Sequence, residues 1–339
     1  MAFQNRFGTR LMCKRAVGAL TVAVALGAVG AGAPSAASTP AATPIVSSTC
    51  PQTVSGSVRL QTDLLCTDST GLIVGADNTV IDLNGHTIAC TGSGYEGSCQ
   101  GGSVEIGVDT NRYNGAHVFS PVDGGTIDGF DRGVFVRGPS DDATVKQLTL
   151  TGPALSAPLP YRPAVFGVLV EGNHCADGSV LIGGNEVENH TTGIRVNVAS
   201  CVNVSSNYVH DNSGGDPDVT LNTGIRVRNS SENVVQGNVV THNGSGVIAP
   251  PPPDSGISLD NALTTDNQVV GNKVNSNNGE GIATAEGAAG NAITNNEMRF
   301  NTQFDAYSAN NGSNSWNKNN RCRTQTTPDP PPGVCNPGE

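Results

Sequence analysis

Arg195 and Arg226 hold the same place in two blocks of sequence, TGIRVNVASCVNVSSNYVHDN at 192–212 and TGIRVRNSSENVVQGNVVTHN at 223–243. Aliphatic residues flank each arginine in alternation. A strand that buries Ile194 and Val196 therefore turns Arg195 and Asn197 outward, and one that buries Ile225 and Val227 turns out Arg226 and Arg228. Stacked as neighbouring strands about 4.8 Å apart, the two guanidiniums face each other as like charges and call for an anion. A uronate carboxylate suits them, because guanidinium binds carboxylate through two parallel N–H bonds. Glu171 and Asp260, with Arg137 and Ser258, extend the strip in flanking blocks. The competing reading is a solvated ladder in which Glu171 and Asp260 neutralise the arginines, worth at most about 1 kcal/mol per exposed pair.

A uronate held this way can also react. One cation offsets the carboxylate charge and acidifies the adjacent C–H, and a second basic group takes the proton, as in a lyase or an epimerase. Arg195 and Arg226 are the expected cations. His190 and His210, which border the turns around the first block, are the expected bases, and His242 borders the next turn. Arg228, Glu171, Asn197, Asp260, Tyr161, Asp216 and Asp218 are expected to bind substrate. Asp216, Asp218 and Asp254 offer oxygens that suit calcium. No denser Asp/Glu set surrounds them, so neither a metal nor another cofactor is assigned.

The arginines need a rigid frame, and the repeats supply one. An aliphatic residue, an Asn three later and an apolar residue five later recur at Ile182/Asn185/Val187, Val204/Asn207/Val209, Val235/Asn238/Val240, Val269/Asn272/Val274 and Ile293/Asn296/Met298, with a degenerate Trp316/Asn319. The Asn positions are spaced by 22, 31, 34, 24 and 23 residues. Between them lies a second unit, Gly followed by alternating apolar residues, as in Gly193-Ile194-x-Val196 and Gly224-Ile225-x-Val227. Three short strands and three turns per repeat predict a solenoid, in which each coil buries its apolar residues on its neighbours and Asn side chains stack in the turns. Hairpins would require Asn-Gly or Asp-Gly turns between equal strands and do not explain one asymmetric block returning in the same order. Residues beyond the minimal period all fall at one corner, in loops 152–165, 211–223 and 243–255.

The repeated N-x-V-x-x-N-x-V…G-I-x-V resembles the right-handed parallel β-helix repeats of the pectin-lyase-like superfold. LIVGADNTVIDLNGHTI (72–88) and GTIDGFDRGVFVRG (125–138) resemble the first coils of exported NosD-like proteins. The resemblance covers about residues 50–320 and implies an all-β, single-stranded, three-sheet solenoid of about ten coils. It also implies that the corner loops wall a groove where polymer chains bind. It does not settle an activity, since that superfold hosts lyases, hydrolases, epimerases, tailspikes and adhesins. The paired Asp, Gly-His-Gly and Arg-x-Lys pattern of its pectin hydrolases is absent.

Composition agrees. The chain has 43 Gly, 4% aromatic and 14% charged residues, which suits turn-rich β structure. Arg6, Arg10, Lys14 and Arg15 precede an Ala/Val/Leu/Gly run and a small-residue stretch ending near Ala37, the layout of a secretory signal. Its removal takes four positive charges from a chain already at −11, which disfavours nucleic acid and anionic membrane as partners. Residues 38–49 read as a flexible lead-in, 50–320 as the β-helix and 321–339 as a Pro-rich tail. Eight cysteines beyond Cys13 predict disulfides. Cys175 and Cys201 each follow an inward Val by five residues, so stacking places their Cα atoms about 5 Å apart, within disulfide range. Closeness in sequence pairs Cys50 with Cys66, Cys90 with Cys99 and Cys322 with Cys335. The expectation is a secreted or cell-surface monomer that binds or acts on an acidic extracellular polysaccharide, in the manner of a lyase or epimerase if it is catalytic. The alternative is a non-catalytic surface β-helix that binds a partner through its corner loops.

Overall fold

The alternating aliphatic residues form strands of two to six residues that wind as coils. The computed structural model of the protein describes residues 42–45, 49–92, 99, 104–122, 124–153, 165–213, 222–245, 254–309, 314–317 and 319–323. Each coil gives one strand to each of three sheets. The coil of Arg195 runs Thr192–Asn197, Val202–Ser205 and Tyr208–His210, and the next repeats it as Thr223–Arg228, Val234–Gln236 and Val239–Thr241. In that order the three sheets hold ten, eleven and ten strands among the described residues. Successive coils pair in parallel, with Ile194 on Ile225, Arg195 on Arg226 and Val196 on Val227. The expected right-handed parallel β-helix is present.

The interior is a set of apolar columns. Ile194, Ile225, Ile257 and Ile282 stack in register with no exposed surface. Burying each is worth about 1.5–3 kcal/mol, but only because a neighbouring coil covers it. The glycine before each Ile marks where the coil enters the first sheet. A Cβ on Gly193 would lie 2.6 Å from Val209 Cγ1 and 2.8 Å from the Gly224 carbonyl oxygen, so the interior has no room for a side chain there. Gly193 and Ile194 thus both face inward, alternation breaks between them, and Thr192 turns outward. Its register partner Phe166 shows that direction by joining Ile106, Phe135 and Leu169 in a cluster separate from the interior core.

The sequence shows one asparagine column, and the structure holds three, one at each turn. Asn185, Asn207, Asn238, Asn272, Asn296 and Asn320 form the column between the second and third sheets. Asn212, Asn243, Asn277 and Asn301 follow the third sheet, and Asn233, Asn267, Asn291 and Asn314 follow the first. Asn238 shows the bonding. Its N–H and Nδ2 donate to Asn272 Oδ1 at 3.0 and 2.9 Å, Nδ2 also donates to the Val204 carbonyl, and its own Oδ1 accepts from Asn207. Every polar atom of the buried side chain is used, as a dry turn requires. The column ends at Asn320 rather than the expected Asn319, because the turn after Trp316 is one residue longer.

Part of the lead-in expected to be flexible is a strand. Thr43–Ile45 pairs with Ser57–Leu60 at one edge of the second sheet, and Ile45 is buried. The disulfides Cys50–Cys66, Cys90–Cys99 and Cys175–Cys201 are formed, the last with Cα atoms 4.9 Å apart. Cys322 is also disulfide-bonded, and its expected partner Cys335 lies outside the described residues. So does the signal-like segment 1–37.

Candidate functional site

The outer face of the first sheet carries three rows of side chains across successive coils. The row nearest the glycines runs Arg132, Phe166, Thr192, Thr223, Ser255 and Glu280. The middle row runs Phe135, Leu169, Arg195, Arg226, Ser258 and Ala283, and the last runs Arg137, Glu171, Asn197, Arg228 and Asp260. The face therefore changes character along the stack. Its first coils form an apolar platform of Ile106, Phe135, Phe166 and Leu169, and its later coils are polar.

Arginines border that platform. Arg132 and Arg137 lie over the Phe135 ring at 4.5 and 4.2 Å, and Arg195 lies over Phe166 at 5.0 Å, where each cation is attracted by the ring face. The three outward arginines of the polar region differ in how they are neutralised. Arg226 donates through Nε to Asp260, which also accepts from the Ser258 hydroxyl. Asn197 donates to Glu171 at 2.7 Å and accepts from a terminal nitrogen of Arg195 at 3.3 Å. Arg195 Nε and Arg228 Nε are buried without a hydrogen-bond partner among the described residues. Burial, then the charges of Arg226 and Arg228, lower the Arg195 guanidinium to about 10, against the opposing pull of Glu171 and Asp260. This is positive charge short of counter-charge, and a carboxylate would relieve it.

The structure thus brings together Arg195, Arg226, Arg228, Glu171, Asn197 and Asp260. It does not bring the histidines to them. His190 is 1% exposed and occupies the interior place that Asn212, Asn243 and Asn277 hold in later coils, with its N–H on Asn212 Oδ1. One coil earlier that place falls on Pro153, next to Gly152, whose N–H donates to Glu188. Proline has no N–H, so an Asn at 190 would find no backbone donor there. Burial lowers the His190 imidazole to about 3, and it is neutral. His210 lies on the outer face of the third sheet, stacked on Tyr208, with Nδ1 2.7 Å from Asp211 and Nε2 3.3 Å from Glu186. Both histidines border the same corner in sequence. Only residues past the turn into the first sheet reach the arginine face.

Asp254, one of the calcium candidates, uses its oxygens within the protein, accepting from the Asn222 N–H and from Ser245 N–H and Oγ. Tyr161, Asp216 and Asp218 lie outside the described residues. Sequence reasoning missed Thr223, Ser255 and Glu280, whose signal is a polar residue directly before each Gly-Ile pair. It also missed Asp131, whose carboxyl is pushed up by burial and then by the charge and hydrogen bond of Glu105 in the neighbouring coil.

Residues 132–325 match the family described as right handed beta helix region. No curated protein matches the chain by sequence. Solved structures match by shape. The Dettilon tailspike protein gives a TM-score of 0.51 at 14% identity, over 82% of this chain and 60% of that one. A double mutant of the tailspike protein of E. coli bacteriophage HK620, in complex with a pentasaccharide, gives 0.51 at 13% identity, over 81% of this chain and 56% of that one. The chain spans less than two thirds of either tailspike, and at these identities the likeness is one of fold.

Proposed function

The chain belongs to the right-handed β-helix family, and on that premise we propose that it is exported and binds an acidic polysaccharide on the outer face of its first sheet. Arg195 and Arg228 take the carboxylates. The observation that carries the reading is their two buried, unpartnered Nε–H groups, one coil apart on a face where Arg226 is already neutralised. Guanidinium favours carboxylate over the hydroxyls of a neutral glycan. The net charge of −11 supports a local rather than a general attraction for anions. The pentasaccharide held by the HK620 tailspike, a protein of the same fold, supports carbohydrate as the ligand class. Disulfides and the signal-like N-terminus support an oxidising, extracellular setting.

The reading is one of binding. A lyase or epimerase needs a base beside the cations, and His190 and His210 face elsewhere. Calorimetric titration of the protein with alginate, polygalacturonate and neutral dextran tests it. A polyuronate should bind more weakly as salt rises, and dextran should bind at least tenfold more weakly than the polyuronate. Equal binding of dextran, or no binding of any polyuronate, overturns the proposal.

A further inference from the structure

The row next to the glycines holds buried polar atoms that have no partner among the described residues. Thr223, Ser255 and Glu280 stand in register on three successive strands and are 0, 0 and 1% exposed. Thr223 Oγ1, Ser255 Oγ and Glu280 Oε2 make no hydrogen bond among the described residues. A buried polar atom without a partner costs stability, so native proteins keep few of them. Three in one row, on the face that carries the unpartnered arginine nitrogens, point to a partner from outside the chain.

The chemistry of the row indicates what that partner offers. Two hydroxyls can each donate and accept. Glu280 lies beside Asp254 and near Tyr307. Burial, reinforced by the Asp254 charge, pushes its carboxyl up to about 8, so at neutral pH it keeps its proton and can donate. Thr223 precedes Arg226 by three residues, about 10 Å along the strand. One polar group per coil, repeating at about 4.8 Å, suits a chain of rings laid along the stack.

We propose that Thr223, Ser255 and Glu280 form a hydroxyl-binding row of the same site, holding the sugar hydroxyls of the chain whose carboxylates sit on Arg195 and Arg228, with Glu280 as a hydrogen-bond donor. This rests on the reading of an acidic polysaccharide ligand. It adds that recognition is lost when Glu280 ionises, since a buried carboxylate cannot donate.

Thr223→Val, Ser255→Ala and Glu280→Gln test it through melting without ligand and through affinity for oligogalacturonate and oligoalginate. Removing an unpartnered hydroxyl should raise the melting temperature of the first two variants by about 2–4 °C, while affinity falls several-fold. The parent should lose up to about tenfold in affinity between pH 7 and pH 9, as the protonated fraction of Glu280 falls. Glu280→Gln, whose amide still donates, should hold its affinity across that range. Unchanged affinity in Thr223→Val and Ser255→Ala, or the same loss at pH 9 in Glu280→Gln, overturns the proposal. If the parent binds neither oligomer, the polysaccharide reading fails and melting alone decides the row. Higher melting then supports a site for an outside partner, and unchanged or lower melting shows that the hydroxyls are satisfied within the fold.

Discussion

Arg226 and Asp260 are bonded across adjacent coils on a diagonal: Asp260 stacks in register on Arg228, yet its carboxylate accepts from Arg226 Nε. The side chains are 13% and 1% exposed. The diagonal neutralises Arg226 and leaves the Nε of Arg228 without a partner among the described residues. It also distinguishes the three arginines: Arg226 is held by Asp260, and the other two are the ones proposed above to take an anion.

Replacing Asp260 by Asn should therefore destabilise the protein by about 3–5 kcal/mol, the cost of stranding a buried cation. Denaturant unfolding checks this. A loss below about 1 kcal/mol would mean that the pair is solvated and contributes as a surface bridge does.

The asparagine columns give a second expectation. Asn238→Ala takes the acceptor from the Asn207 N–H and the side-chain donor from the Val204 carbonyl in one step, both in a buried turn, and keeps only the backbone N–H bond to Asn272. The cost should exceed about 3 kcal/mol, because each orphaned group loses its full desolvation compensation. Asn197→Ala, on the outer face, should cost under about 1 kcal/mol. Comparable losses in the two variants, measured by urea unfolding, would contradict the ladder's role.

Much of this architecture was legible in the spacing. The Gly-Ile-x-Val unit alone shows which residues face inward, and so places Arg195 on Arg226 and Cys175 beside Cys201, as the structure has them. The histidines were not legible. His190 follows Val187 by three residues just as Asn212 follows Val209, so the shared place was in the spacing, but spacing alone does not show that this place, ahead of the turn into the first sheet, points into the interior. Glu280 escaped for a related reason: strict alternation from Ile282 points it inward, and the break at Gly281 turns it out. Arg195 and Arg226 read as equivalent in sequence, and only the diagonal to Asp260 distinguishes them.

Stability should depend on pH through two groups shifted in opposite directions. Glu280 is raised from 4.5 to about 8, so its contribution is complete below pH 4.5 and is lost as pH rises through 8. His190 is lowered from 6.5 to about 3, so its contribution is complete above pH 6.5 and is lost as pH falls towards 3. Melting curves of Glu280→Gln should lack the parent's decline towards pH 8, and those of His190→Asn should lack its decline towards pH 3. Variant and parent profiles that run parallel across these ranges would refute the assignment.

Cys175 and Cys201, 26 residues apart in sequence, join neighbouring coils. Digestion under non-reducing conditions should release one linked peptide containing both. Cys201→Ser should cost about 3 kcal/mol, the loop-closure entropy for a loop of this size. A Cys175 peptide joined to any other cysteine would displace the coil register, and with it the outward arginines.

The central claim is that Arg195 and Arg228 supply the anion site. Calorimetric titration of polygalacturonate and alginate into the Arg195→Ala, Arg228→Ala double variant tests it most directly. Lys273→Ala with Arg299→Ala, on the third sheet, serves as the charge-matched control. The account predicts at least a tenfold loss of affinity and a flatter salt dependence in the arginine variant, parent-like binding in the control, and cooperative unfolding in both. Parent-like binding by the arginine variant, or an equal loss in the control, would contradict it.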